Sequence, residues 1–134
     1  MIHTILEKKQ FSKDVFYLRV AAPEIARQRK AGQFVIIQLD IDYGERIPLT
    51  IADADPAAGW IALVVQAVGA TTIKLCRKEA GDSIAAILGP LGNPTHIAKV
   101  GKVVCVGGGI GTAPLHPIAQ AYKRAGNEVI IIIG

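Results

Sequence analysis

Three short segments of this chain carry residue types suited to holding phosphate. The first is Gly107-Gly108-Gly109-Ile110-Gly111-Thr112-Ala113-Pro114, which follows the apolar run Val103-Val104-Cys105-Val106. Glycine has no Cβ, so it permits positive φ and lets a ligand approach the backbone. A helix opening after such a turn adds unpaired N–H donors and a positive dipole end. The second segment is Glu45-Arg46-Ile47-Pro48-Leu49-Thr50. In an extended strand, alternation puts Arg46, Pro48 and Thr50 on one face, a fixed cation with a hydroxyl further along. The third is Val68-Gly69-Ala70-Thr71-Thr72, a glycine and two hydroxyls at the start of an expected helix. Each has a plainer reading. Arg46 and Pro48 also suit an edge strand guarded by its proline, and Thr71 and Thr72 also suit simple helix capping.

The elements that must position these segments are legible from periodicity. Residues 3–9, 15–21, 34–39, 47–53, 60–68 and 83–88 read as short strands divided by turn residues, the pattern of an antiparallel barrel. Residues 71–80 read as the only substantial helix of this region, stopped at Gly81. Arg27-Gln28-Arg29-Lys30 reads as a solvated loop before Gly32. Gly89-Pro90-Leu91-Gly92-Asn93-Pro94 and residues 96–102 read as a connection, giving units of 1–99 and 100–134. After the glycine turn, residues 115–125 have helical spacing, Gly126-Asn127 supplies a stop, and residues 128–133 form an apolar strand. That is one βαβ unit. A residue reading the ribose is expected about 20 positions past the glycines, which falls beyond Gly134.

Composition narrows the classes. The 134 residues are 51% hydrophobic and carry 15 Lys and Arg against 11 Asp and Glu, a net charge of +4 that is dispersed along the chain. A mild, scattered excess without interleaved aromatics argues against nucleic acid as a partner and is compatible with an anionic dinucleotide. The apolar runs are too short and interrupted to span a membrane, and the start has no signal-peptide pattern, so a cytoplasmic location is expected. Cys76 and Cys105 lie far apart in apolar surroundings and are expected to be buried thiols. Two cysteines cannot supply a four-cysteine cluster, and His3, His96 and His116 have no metal-ligand spacing. No metal site is expected, and these histidines are expected at the surface or at caps.

In order and spacing, Arg46-Ile47-Pro48-Leu49-Thr50, Val68-Gly69-Ala70-Thr71-Thr72, Gly89-Pro90-Leu91-Gly92-Asn93-Pro94 and the 107–114 turn resemble the ferredoxin–NADP reductase superfamily. Among its members the likeness is to electron-transfer subunits of the dihydroorotate dehydrogenase type and small subunits of sulfide dehydrogenase. The resemblance implies a Greek-key FAD-binding barrel with one helix, then the first βαβ unit of a Rossmann-like domain. It places Arg46 on the FAD pyrophosphate. Pro48, Leu49 and Thr50 would lie along the isoalloxazine, with Thr50 hydrogen-bonding near flavin N5 as the one catalytic residue. Gly69, Thr71 and Thr72 would hold the phosphates. Gly107, Gly108, Gly109, Gly111, Thr112 and Pro114 would hold NAD(P)H, with Pro114 starting the helix. The implied function is hydride transfer from NAD(P)H to FAD and electron delivery to an iron–sulfur or ferredoxin-type protein or a larger catalytic subunit.

Ile110 stands where many members have Thr, removing a hydroxyl from the turn. Members also continue for about another 100 residues on the usual domain scale. The chain alone is therefore expected to bind FAD, to hold NAD(P)H weakly and to turn over little. Its last strand, with little to cover it, is expected to seek a partner, for example in a homodimer. Two other readings remain open from sequence: a non-enzymatic module that keeps the fold without flavin, and a nucleotide sensor using only the glycine turn.

Overall fold

The computed structural model of the protein describes residues 2–42 and 44–134. Strands β1 (His3–Gln10), β2 (Val15–Ala21), β3 (Phe34–Gln38), β4 (Arg46–Asp55), β5 (Trp60–Gln66), β6 (Ser83–Ile84) and β7 (Ala86–Leu91) form an antiparallel sheet in the order β6-β1-β2-β5-β4-β3-β7. β6 and β7 are one stretch bent at Ala85, whose N–H donates to Leu39 C=O. One half pairs with β1 and the other with β3, so the sheet nearly closes on itself as the expected barrel. Closure leaves few open edges. Inside, Ile5, Leu18, Val35, Ile37, Ile51, Ile61, Leu63 and Val65 are fully or almost fully buried in one core.

Several expected boundaries move. The single strand 83–88 is instead two, and the second runs on through Gly89-Pro90-Leu91, which therefore belong to the barrel and not to a connection. Gly89 lets the strand lie close on β3: a Cβ there would meet Val35 Cγ1 at 2.8 Å. Between β2 and β3 lies a helix the sequence reading missed, α1 (Pro23–Gln28). Its signals are a proline in the first turn, Glu24 at the positive dipole end, and Ile25 and Ala26, which enter the core. Helix α2 (Ala70–Arg77) begins one residue earlier than expected and ends three earlier. It stops because residues 79–82 form their own turn: Asp82 Oδ2 accepts the Glu79 N–H, and Glu79 C=O accepts the Asp82 N–H. β5 ends at Gln66, since the Ala67 N–H turns to Asp14 C=O.

β8 (Lys102–Gly107) and β9 (Glu128–Ile133) pair in parallel, joined by a 3-10 turn at Gly109–Gly111 and helix α3 (Thr112–Arg124). The helix begins at Thr112 and not at Pro114. The Thr112 hydroxyl donates to Gly109 C=O at 2.7 Å, carrying the 3-10 turn directly into the helix. Pro114 then sits within the first turn, where a missing N–H costs nothing. α3 packs on one face, over Cys105 of β8, while Ile131 and Ile133 of β9 on that same face stay 54% and 66% exposed. On the other, Val104, Val106, Ile130 and Ile132 are 40–68% exposed, on a kind of sheet that is ordinarily covered on both faces.

His3 is also placed differently from expectation: it is buried, with Nδ1 2.8 Å from Ala21 C=O. Cys76 and Cys105 are buried, as expected. Burial pushes the Cys76 thiol up, against the opposing pull of Lys8. A neutral, covered thiol is a poor nucleophile. In the folded protein Cys76 should therefore react with iodoacetamide at pH 8 at least about tenfold more slowly than in urea, measured by mass spectrometry of the labelled peptide. Among the described residues, no helix is long and apolar enough to cross a membrane.

Candidate functional site

β4 presents the second segment as alternation requires. Its register against β3 pairs Arg46 with Gln38, Pro48 with Ile36 and Thr50 with Phe34. Arg46 and Pro48 are exposed and Thr50 is half-buried, whereas Ile47 and Leu49 pack against the core. Leu49 thus offers the outer face its backbone only. Further along, the β4–β5 register shifts between Ile51 and Asp53. This bulge keeps Ile51 in the core and sends both Ala52 and Asp53 outward, where an unbroken alternation would have buried the carboxylate.

The start of α2 is brought directly beside the start of β4. Thr71 Oγ1 donates to Glu45 Oε2 at 2.5 Å, so the residue preceding Arg46 touches the helix's first turn. Gly69, extended at φ −137° and ψ 175°, supplies the cap position. The Thr72 hydroxyl is occupied locally: it accepts the Val68 and Gly69 N–H groups at 3.1 and 2.9 Å and donates to Gly69 C=O at 3.1 Å. What the turn leaves available is backbone. Among the described residues, the N–H groups of Ala70, Thr71 and Thr72 have no partner, and Arg46 has no ion pair. Helix N–H donors and a dipole end, beside the start of the strand that carries the unpaired Arg46, form an anion-binding arrangement.

The glycine turn divides by physical reason. Gly107 lies in close packing, since a Cβ would meet Leu115 Cδ2 at 2.8 Å and the leucine would have to shift. Gly109 is required by its φ of +56°. Gly108 and Gly111 have ordinary φ values of −129° and −64°. A Cβ at Gly108 would meet nothing nearer than Gly134 O at 3.9 Å, and one at Gly111 would meet nothing within 4 Å. The chain's own packing does not explain these two. Gly111→Ala should leave thermal stability unchanged or slightly raised, by up to about 1 kcal/mol. Gly107→Ala should cost about 1–3 kcal/mol through crowding of Leu115. Thermal melts of the two variants separate the roles, and a loss of dinucleotide binding in Gly111→Ala then reports lost backbone approach.

Between this turn and the barrel wall lies a cleft of about 680 Å³. Tyr17, Val64, Gln66 and Asp53 line one side; Gly109, Ile110 and His116 line the other. Arg29, in the segment expected to be a solvated loop, is instead almost covered, with its side chain 11% exposed and Nη2 3.6 Å from Asp53 Oδ1. Burial lowers its affinity for a proton; Asp53 opposes that and Arg124 of α3 adds to it. Arg29 thereby links the end of α1 to the bulged strand.

No family model matches the chain. It is 44% identical over 133 residues to the dihydroorotate dehydrogenase B (NAD(+)) electron transfer subunit homolog of Thermotoga maritima, a match covering 99% of this chain and 47% of that protein. A solved NADH-dependent reduced ferredoxin-NADP oxidoreductase, described in the context of flavin-based electron bifurcation, matches at TM-score 0.96. That match has 44% identity and covers 100% of this chain and 48% of the other. The chain is their homologue and has the ferredoxin reductase-like fold. A ferredoxin reductase in carbazole 1,9a-dioxygenase shares the fold at TM-score 0.85 and 20% identity, covering 100% of this chain and 43% of its own. The ferredoxin reductase-like chain spans about half the length of the curated relatives it matches.

Within this fold the second and third sequence segments meet at the β4–α2 corner, and the first, the glycine turn, forms one wall of the cleft. The sequence reading missed Glu45 as a contact of Thr71, and it missed Asp53, Tyr17 and Gln66 as cleft residues. Only the strand order and the bulge reveal them. No short motif marks either.

Proposed function

We propose that this chain is the flavin-binding part of an electron-transfer subunit of an NAD(P)H oxidoreductase. It would hold FAD along the outer face of β4 and offer the glycine turn to NAD(P)H. An iron–sulfur or ferredoxin-type protein, or a larger catalytic subunit, would receive the electrons. The observation that carries this reading is the contact of Glu45, just before β4, with Thr71 in the first turn of α2, which sets the start of the strand that bears Arg46 beside unpaired helix N–H groups on a barrel that also faces a glycine-lined cleft.

In this reading Arg46 pairs with the pyrophosphate, and the N–H groups at the start of α2 take its remaining oxygens. Gly69 keeps that approach clear, since a Cβ there would meet nothing closer than Thr72 Oγ1 at 4.0 Å. Thr72 contributes its backbone, because its hydroxyl is spent on the turn. Pro48 and the Leu49 backbone bring the strand flat against the ring system. Thr50, whose hydroxyl makes no hydrogen bond among the described residues, is free to donate to the flavin. Bound FAD would supply the chemistry, accepting a hydride and releasing electrons one at a time; the protein supplies position and electrostatics. Gly108 and Gly111 admit the dinucleotide backbone, and Thr112 keeps the turn closed through Gly109.

The test is titration of flavin-stripped protein with FAD, followed by flavin fluorescence and visible absorption, with FMN as control. Saturable binding with preference for FAD is expected. Folded protein that binds neither flavin would overturn the reading and favour the non-enzymatic module.

A further inference from the structure

Glu45 places a carboxylate at the corner assigned above to phosphate. Its side chain is exposed, yet Oε2 accepts the Thr71 hydroxyl at 2.5 Å, inside the first turn of α2. The neighbouring charges do not neutralise it: the Lys74 ammonium is engaged by Asp40, which holds the Asp40 carboxyl below its usual range. Glu45, Asp40, Lys74 and Thr71 together line a hollow of about 180 Å³ against the helix start. With the Thr72 hydroxyl spent on Val68 and Gly69, Thr71 has the one side-chain donor of this turn that an incoming anion can recruit. Glu45 holds that donor.

An anion at a helix N-terminus is favourable, so the carboxylate gives the first turn of α2 the charge it favours. A phosphate bound to the same turn would lie beside it, and like charges at that range repel. Glu45 can leave cheaply, because its side chain is exposed and has several rotatable bonds. We propose that Glu45 is a displaceable internal anion: it occupies Thr71 and the start of α2 until a pyrophosphate replaces it, and so sets the FAD affinity of the site. The inference rests on the flavin reading of this corner and adds to it a residue that opposes binding.

Glu45→Gln keeps the size of the side chain and an acceptor for Thr71 while removing the charge. FAD titrations by flavin fluorescence should show the variant binding about tenfold more tightly than the unaltered chain, the order of effect of one close like charge. A second measurement needs no flavin. Inorganic pyrophosphate should raise the melting temperature of Glu45→Gln at concentrations that leave the unaltered chain unmoved. If the unaltered chain binds FAD and Glu45→Gln binds it equally or less well, the proposal is overturned and the flavin reading stands, with Glu45 then a direct flavin contact. An equal response of both proteins to pyrophosphate also overturns it. If only the variant binds FAD, the internal anion is confirmed in its strongest form. If neither folded protein binds FAD, the flavin reading fails and this proposal with it.

Discussion

Arg46→Ala is expected to weaken FAD binding roughly tenfold to a hundredfold while leaving the apo barrel as stable as before. The magnitude follows from the loss of one charge-assisted hydrogen-bonding group, about 1.5–3 kcal/mol. The lack of a stability effect follows from the structure: the Arg46 side chain is exposed, has no ion-pair partner among the described residues, and lies outside the core that Ile47 and Leu49 contact. Exposed substitutions without such partners usually change stability by less than about 0.5 kcal/mol. Arg46→Lys should recover part of the affinity, because an ammonium keeps the charge but loses the planar fork that grips two phosphate oxygens. Fluorescence titration gives the affinities and a thermal melt of each apo protein gives the control. Unfolding of Arg46→Ala would make Arg46 a structural residue of the strand edge, the plainer of the two sequence readings.

The barrel and the glycine turn were legible because they rest on local rules. Residues 15–21, 34–38 and 60–66 are short runs of strand-forming residues bounded by turn residues, and strand alternation puts Arg46, Pro48 and Thr50 on one face. The features that escaped are those where tertiary context reverses a local rule. Arg29 stands in a basic run that reads as solvated, yet α1 and the bulge at Ala52 enclose it against Asp53. Asp53 itself would point into the core without that bulge, and no sequence pattern announces where a strand gains a residue. Glu45 was passed over because its partner Thr71 lies 26 positions away on another element. Pattern reading finds residues that share an element. Contacts between elements depend on strand order, which the Greek-key path sets by carrying the chain from β2 past two strands to β3.

Asn127 is the sharpest case, and it carries the other large expected effect. From sequence it reads only as part of a helix stop, yet it is buried and makes four hydrogen bonds. Oδ1 accepts the Val100 and Gly101 N–H groups at 2.7 and 2.9 Å, and Nδ2 donates to Ala98 and Tyr122 C=O at 3.0 and 2.9 Å. One side chain thus satisfies four backbone groups and ties the segment leaving the barrel to the end of α3, holding the glycine turn's βαβ unit to that segment. Asn127→Ala strands the Val100 and Gly101 N–H groups and the Ala98 C=O in a partly buried place, while Tyr122 C=O keeps the backbone N–H of residue 127, at a cost of about 2–4 kcal/mol. Asn127→Asp should cost at least as much, since it keeps the acceptor but loses both donors and brings in a charge that must be desolvated. The barrel core contains neither Asn127 nor its partners, so the loss should be local. Amide exchange in β8 and β9 should accelerate by roughly 30-fold to 1,000-fold, while exchange in β2 and β5 stays as it was. Equal acceleration in both sheets would mean that the two units unfold together. No acceleration would mean that water replaces the amide without penalty.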